Sequence, residues 1–185
     1  KPDKVVTLYN AVEPVANKDG LIPQKESGKK VITFLGRITM QKGPEYFLEA
    51  ASLVLQQTKD VRFIMAGKGD LRDAMIRRAA ELNISDFVDF PGFIPDDEVN
   101  NLFLQSDVFV MPSVSERFGI VTLEAMQNGV PVVISRQSGV SEILENAVKV
   151  DYWNVRQMAD VITDLVNNQA KRNKLGKLGK KEANK

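Results

Sequence analysis

Short runs of β-branched and aromatic residues alternate with longer amphipathic stretches along most of the chain. Val31 to Leu35, Val61 to Ala66, Asp107 to Met111 and Val130 to Ile134 read as buried strands. Phe87 to Phe90 and Ala147 to Val150 read as two more. Between them, apolar spacing predicts helices over Pro44 to Gln57, Leu71 to Leu82, Asp96 to Gln105, Phe118 to Gln127 and Val155 to Val166, with a short one near Val140 to Leu144. Strands apolar on both faces and separated by helices imply right-handed crossovers and a sheet covered on both sides. The expected fold is therefore α/β: a Rossmann-like three-layer domain with a mainly parallel sheet.

The ends break this rhythm. Lys1 to Glu13 holds one extended run, Val5 to Tyr9, and a polar stretch with Gly20, Pro23 and Gly28 follows up to Lys30. Near the other end, Gly176 and Gly179 fall inside a would-be helix and should weaken it.

Composition narrows the chemistry more than the fold. With 185 residues, 43% hydrophobic, the chain can build one good core. No apolar run approaches the roughly 18 residues that span a bilayer. There is no Cys, so disulfides and thiolate metal sites are excluded; a cytoplasmic location is expected, with membrane association of a longer enzyme left open. There is no His either, which removes the commonest general base and transition-metal ligand. Catalysis here must rest on carboxylates, cations and backbone dipoles. The net charge of +1 hides an asymmetry: Lys171 to Lys185 holds seven basic residues and one acid, leaving 18 basic against 23 acidic elsewhere. The body thus lacks the basic footprint of a nucleic-acid binder, and the tail reads as a solvated helix end.

Ligands of open parallel sheets bind beyond the carboxyl ends of the strands, so the strand-to-helix turns carry the candidate chemistry. The first, Gly36 to Gly43, sets Arg37 and Lys42 just ahead of a helix N-terminus, where the dipole by itself favours acids. A bound diphosphate would resolve that conflict; solvated surface cations are the plainer reading. It is neither a dinucleotide fingerprint nor a Walker loop, since the glycines are seven apart and no Gly-Lys-Ser/Thr follows. In the second turn, Gly67 lets backbone approach a ligand, or simply makes a tight turn capped by Asp70. In the third, Phe93 and Ile94 follow Gly92 and could border a nucleobase or belong to the core.

The fourth turn runs from Ser113 to Glu124. Treated as helical, the separation of Glu116 and Glu124 puts their carboxylates on the order of 10 Å apart, at ~1.5 Å per residue. A retaining hydrolase needs a pair about 5 Å apart, so these two suit opposite ends of an extended ligand instead. The amides of Phe118, Gly119 and Ile120 would face an anion at the helix start. Alternatively, Glu116 is a first-turn acid and Glu124 a surface residue, although Leu123 and Met126 make that helix largely apolar.

Together the G-R-x-x-x-x-K-G, A-G-x-G and G-F-I turns and the E-x7-E motif, followed by Asn128-Gly129-Val130-Pro131, resemble the carboxy-terminal domain of family 4 retaining glycosyltransferases. The resemblance implies one half of a GT-B fold, two facing Rossmann-like domains, and transfer of a sugar from a nucleoside-diphosphate sugar. By that resemblance Arg37, Lys42 and Glu116 would be catalytic, the two cations neutralising the diphosphate and Glu116 holding sugar hydroxyls. The donor would further meet Gly36, Gly67, Gly92, Phe93, Ile94, Phe118, Gly119 and Ile120, with Glu124 on the ribose. No metal or other cofactor is implied. The acceptor, carbohydrate or lipid, would be bound mainly by a domain preceding this one. Residues 1–30 would then be an interdomain strand and linker, 31–168 the donor domain and 169–185 a truncated basic helix, and the chain alone would bind nucleotide weakly and transfer nothing. A GT-B phosphorylase, a sucrose-synthase-like enzyme and a non-catalytic nucleotide-binding module are the alternatives. The sequence departs from the family at Arg117, where many relatives have Pro or Gly, at Ser138 to Glu142, and at Glu145 to Asp151.

Overall fold

The computed structural model describes residues 28–185. The extended run at Val5 to Tyr9 and the loop before Gly28 lie outside the described residues. Six strands form one sheet: β1 (Lys30–Leu35), β2 (Val61–Ala66), β3 (Val88–Gly92), β4 (Val108–Met111), β5 (Val132–Ser135) and β6 (Val148–Val150). Their order is β3-β2-β1-β4-β5-β6, and every pairing is parallel. The chain winds outward in one direction through β3 and in the other through β6. The switch point, where a crevice must open, therefore lies between β1 and β4.

Strand alternation explains how one sheet feeds two cores. Ile32 and Phe34 of β1 point to the layer of α1 (Pro44–Gln57), α2 (Arg72–Glu81) and α5 (Val155–Asn167). There Phe47 bridges Phe34 and Phe63 at ring separations of 5.7 and 5.8 Å. Val31, facing the opposite way, packs with Ile64, Ile94 and Leu102. The core on that side continues through Phe103, Phe109 and Met126 beneath α3 (Asp96–Gln105) and α4 (Ile120–Gln127). Pro91 falls within β3, which is tolerated because β3 is an edge strand whose register shifts beside it.

Three expected features differ. Helix α4 starts at Ile120 rather than Phe118. Gly119 precedes it at φ 90°, a left-handed conformation, and a Cβ there would lie 2.7 Å from Met111 Cε. Glu116 is thus in a loop, and the helical spacing between the two glutamates does not apply. The short helix near Val140 is a 3-10 turn, Gly139–Glu142. Finally, the glycine-bearing tail is a continuous helix, α6 (Gln169–Ala183). Its Gly176 and Gly179 face Gly129 and Met126 at close range, so tertiary packing overrides their poor helix propensity. Nor is that tail solvated throughout: Arg172 is buried, donating to the carbonyls of Leu165 and Val166 at the end of α5.

Candidate functional site

The site is built from four loops at the carboxyl edge of the sheet, and backbone bonds tie them to one another. Gly36 N donates to Ala66 O (3.1 Å), Ile38 N to Lys68 O (2.8 Å) and Gly67 N to Gly92 O (2.7 Å), which joins the turns after β1, β2 and β3. At Gly67 a Cβ would stand 1.8 Å from Gly36 O, so only glycine permits that approach. Across the switch point, Val114 N donates to Gln41 O (2.9 Å), fastening the turn after β1 to the turn after β4.

The result is a run of adjoining cavities with Arg37 in the wall of each. At one end, a cavity of about 360 Å³ is bounded by Gly36, Gly67, Phe93, Ile94, Ile120 and Glu124. In the middle, one of about 390 Å³ takes in Lys42, Glu116, Phe118, Gly119 and Ile120. At the other end, about 510 Å³ is enclosed by Arg37, Gln41, Lys42, Ser115, Glu116 and Arg117.

Apart from Gly92, the residues singled out in the sequence all line this groove. Gly92 stands behind it, at φ 85°, supplying the carbonyl that holds Gly67. Phe93 is 56% exposed, whereas Ile94 is a core residue whose edge reaches the cavity. Phe118 is half-buried on the Phe103–Met126 core, and its carbonyl accepts from Val140 N. Ile120 and Val121, the first residues of α4, line the groove, and the first amides of a helix find no acceptor within its own turns.

Charge is unevenly spread along the groove. Lys42 and Glu116 form an ion pair, their side chains only 18% and 14% exposed, so Lys42 is not a solvated surface cation. Glu124 lies at the other end. Burial, with Asp96 nearby adding to it, pushes its carboxyl above the usual carboxylate range. It is no ordinary surface acid.

Asp96 and Lys68 were not singled out as site residues, yet both line the same cavity as Glu124. Lys68 Nζ sits 5.1 Å from the centre of the Phe93 ring, within cation–π range. The signal for Lys68 was its place between Gly67 and Gly69; nothing local marked Asp96, which looks like any first-turn acid of a helix. Among the described residues no cluster of three or more His, Cys, Asp or Glu could hold a metal ion, and no helix is long and apolar enough to cross a membrane.

Residues 18–182 match the family described as glycosyl transferases, group 1. The chain belongs to that family. Among the group 1 glycosyl transferases, it is 36% identical over 156 residues to the uncharacterized glycosyltransferase MJ1607 of Methanocaldococcus jannaschii, covering 79% of this chain and 40% of that protein. To the 2-deoxystreptamine glucosyltransferase of Streptomyces kanamyceticus it is 34% identical over 141 residues, 76% of this chain and 36% of the relative. The chain therefore spans less than half the length of these relatives. The fold matches the crystal structure of the C-terminal domain of LpcC, a glycosyl transferase group 1 family protein from Francisella tularensis, with a TM-score of 0.78, 26% identity and 85% of each chain covered. The expected glycosyltransferase family and Rossmann-like GT-B half-fold are both borne out.

Proposed function

We propose that the chain is the donor-binding domain of a retaining glycosyltransferase, taking a nucleoside-diphosphate sugar and passing the sugar to an acceptor carbohydrate or lipid held mainly by another domain. One observation carries this reading. Arg37, Lys42, Glu116 and Glu124, from two stretches far apart in sequence, converge on one groove at the switch point of a parallel sheet.

The groove's polarity sets the donor's direction. Its Phe93 and Glu124 end offers an aromatic face for a base and a carboxylate to accept from ribose hydroxyls. The cations and the first amides of α4 sit further along, where a diphosphate following the ribose would fall. Glu116 comes next and accepts from hydroxyls of the sugar. When the bond to the sugar breaks, charge grows on the departing diphosphate. Fixed cations and amide dipoles stabilise it without reorganising, which is electrostatic catalysis of the leaving group. The family motif supports the retaining outcome and transfer without a metal.

Calorimetric titration with ADP, UDP and GDP tests the reading. One nucleotide should be preferred, and Lys42→Ala should weaken it by at least about 1.5 kcal/mol, the lower bound for a charge-assisted contact. A chain that binds none of the three would remove the reading's main support. Sugar transfer by the chain on its own would contradict its role as a donor half.

A further inference from the structure

The cavity of about 510 Å³ carries more positive charge than the donor reading has used. Arg37, Lys42 and Arg117 face it with a single carboxylate, Glu116. Lys42 is already matched by that carboxylate. Arg37 and Arg117 are both exposed and, among the described residues, neither side chain has a hydrogen bond or ion pair. Both line this cavity and the adjoining one of about 390 Å³. An anion in either cavity would have both guanidinium groups in its walls.

Arg117 is also not on a loose loop. Gly139 N donates to Glu116 O (2.9 Å) and Val140 N to Phe118 O (3.0 Å), so backbone bonds flank Arg117 on both sides. Its own carbonyl lies 1.9 Å from where a Cβ of Gly139 would be, closer than any other residue type allows. The peptide that carries Arg117 is therefore held against the turn after β5, and its side chain leaves from a fixed point beside Glu116.

Resting on the donor reading, we propose that Arg117 is a second diphosphate-binding arginine, acting with Arg37 and beside Lys42, which also pairs with Glu116. A nucleoside-diphosphate sugar carries one negative charge on each phosphate, and two guanidinium forks match that distribution. Each fork can grip two oxygens at once, which an ammonium cannot do. Glu116, kept neutralised by Lys42, can then stand next to the anion and still accept from sugar hydroxyls.

The test uses inorganic pyrophosphate, a probe that needs no knowledge of the base, beside ADP, UDP and GDP. Affinities are measured for the wild-type chain, Arg37→Gln, Lys42→Ala, Arg117→Gln and Arg117→Lys, each confirmed as folded by its thermal midpoint. Arg117→Gln should weaken pyrophosphate and the preferred nucleotide roughly tenfold, equal to about 1.4 kcal/mol. Arg117→Lys should recover part of the loss, because it restores charge but not the fork. The parent ribonucleoside should bind both forms alike. If Arg37→Gln and Lys42→Ala weaken pyrophosphate while Arg117→Gln binds it like wild type, the role of Arg117 is overturned and the donor reading stands. If the wild type binds neither pyrophosphate nor any of the nucleotides, both fall.

Discussion

Lys42 and Glu116, 74 residues apart in sequence, form an ion pair that spans the switch point of the sheet. Each side chain is mostly but not wholly withdrawn from water, so the pair falls between the surface and buried regimes. Removing one partner should then hurt more than removing both. Lys42→Met alone is expected to cost about 1–2 kcal/mol, because it leaves a half-buried carboxylate unmatched, and Lys42→Met with Glu116→Gln less than about 1 kcal/mol. Urea denaturation of the two singles and the double gives the coupling directly. Additive costs would mean that the pair is incidental.

Glu124 offers the opposite trade, stability against binding. Burial first, and then Asp96, raise its folded pKa above the ordinary carboxylate range. An acid raised in this way carries no penalty at low pH; it destabilises the fold as pH rises from the ordinary range through the raised value. Glu124→Gln should therefore increase the thermal midpoint at pH 7, and the gain should vanish on acidification below the ordinary carboxylate range. The same change removes a charged acceptor from the groove, so nucleotide binding should weaken by about 1.5–3 kcal/mol. Thermal scans from about pH 3 to about pH 8, which reach below the ordinary Glu range, and calorimetry separate the two effects. A variant that is less stable at pH 7 would contradict the assignment of that penalty to Glu124.

The strands and the chemistry-bearing turns were legible in sequence because each is local. A buried strand is a short apolar run, and Arg37 to Lys42 or Glu116 to Glu124 is a contiguous stretch. What was not legible is what distant stretches do to one another. Read alone, Lys42 looked like a cation seeking an anion ligand, while its partner Glu116 stands in another loop. Arg117 read as a departure in a loop, because its bracing by Gly139 and Val140 comes from the next crossover. Asp96 joined Glu124 only once α3 and α4 were laid side by side. The start of α4 is hidden for a different reason: Phe118 continues the apolar pattern, and the break comes from the positive φ of Gly119.

Glu182 shows the reverse pH dependence. Burial alone would raise its pKa, but hydrogen bonds from the amides of Glu145 (2.7 Å) and Asn146 (2.9 Å) and from the Asn146 side chain outweigh it and hold the carboxyl below its ordinary value. A depressed acid stabilises the fold above the ordinary carboxylate range and loses that contribution as pH falls through the depressed value. Glu182→Ala should cost about 1 kcal/mol at neutral pH, towards the low end for charge-assisted bonds because the site is partly exposed. The gap between variant and wild type should close on acidification. A gap independent of pH would point to packing rather than charge.

Two glycines in α6 separate helix propensity from packing. Propensity alone predicts that Gly→Ala at either position stabilises the helix by up to about 1 kcal/mol. At Gly176 a Cβ would meet the backbone carbonyl oxygen of Gly129 at 2.0 Å, and a carbonyl at the end of α4 cannot step aside without moving the helix. At Gly179 the nearest atom is Met126 Cε at 3.2 Å, the end of a flexible side chain that can shift. Gly176→Ala should therefore destabilise the chain by about 1–3 kcal/mol, the usual cost of overpacking. Gly179→Ala should be neutral or slightly stabilising. The pair is decided by the sign of the change in thermal midpoint. If both alanines stabilise, α6 does not press against α4 as closely as Gly176 and Gly129 do here, and the helix would be held by its own propensity instead.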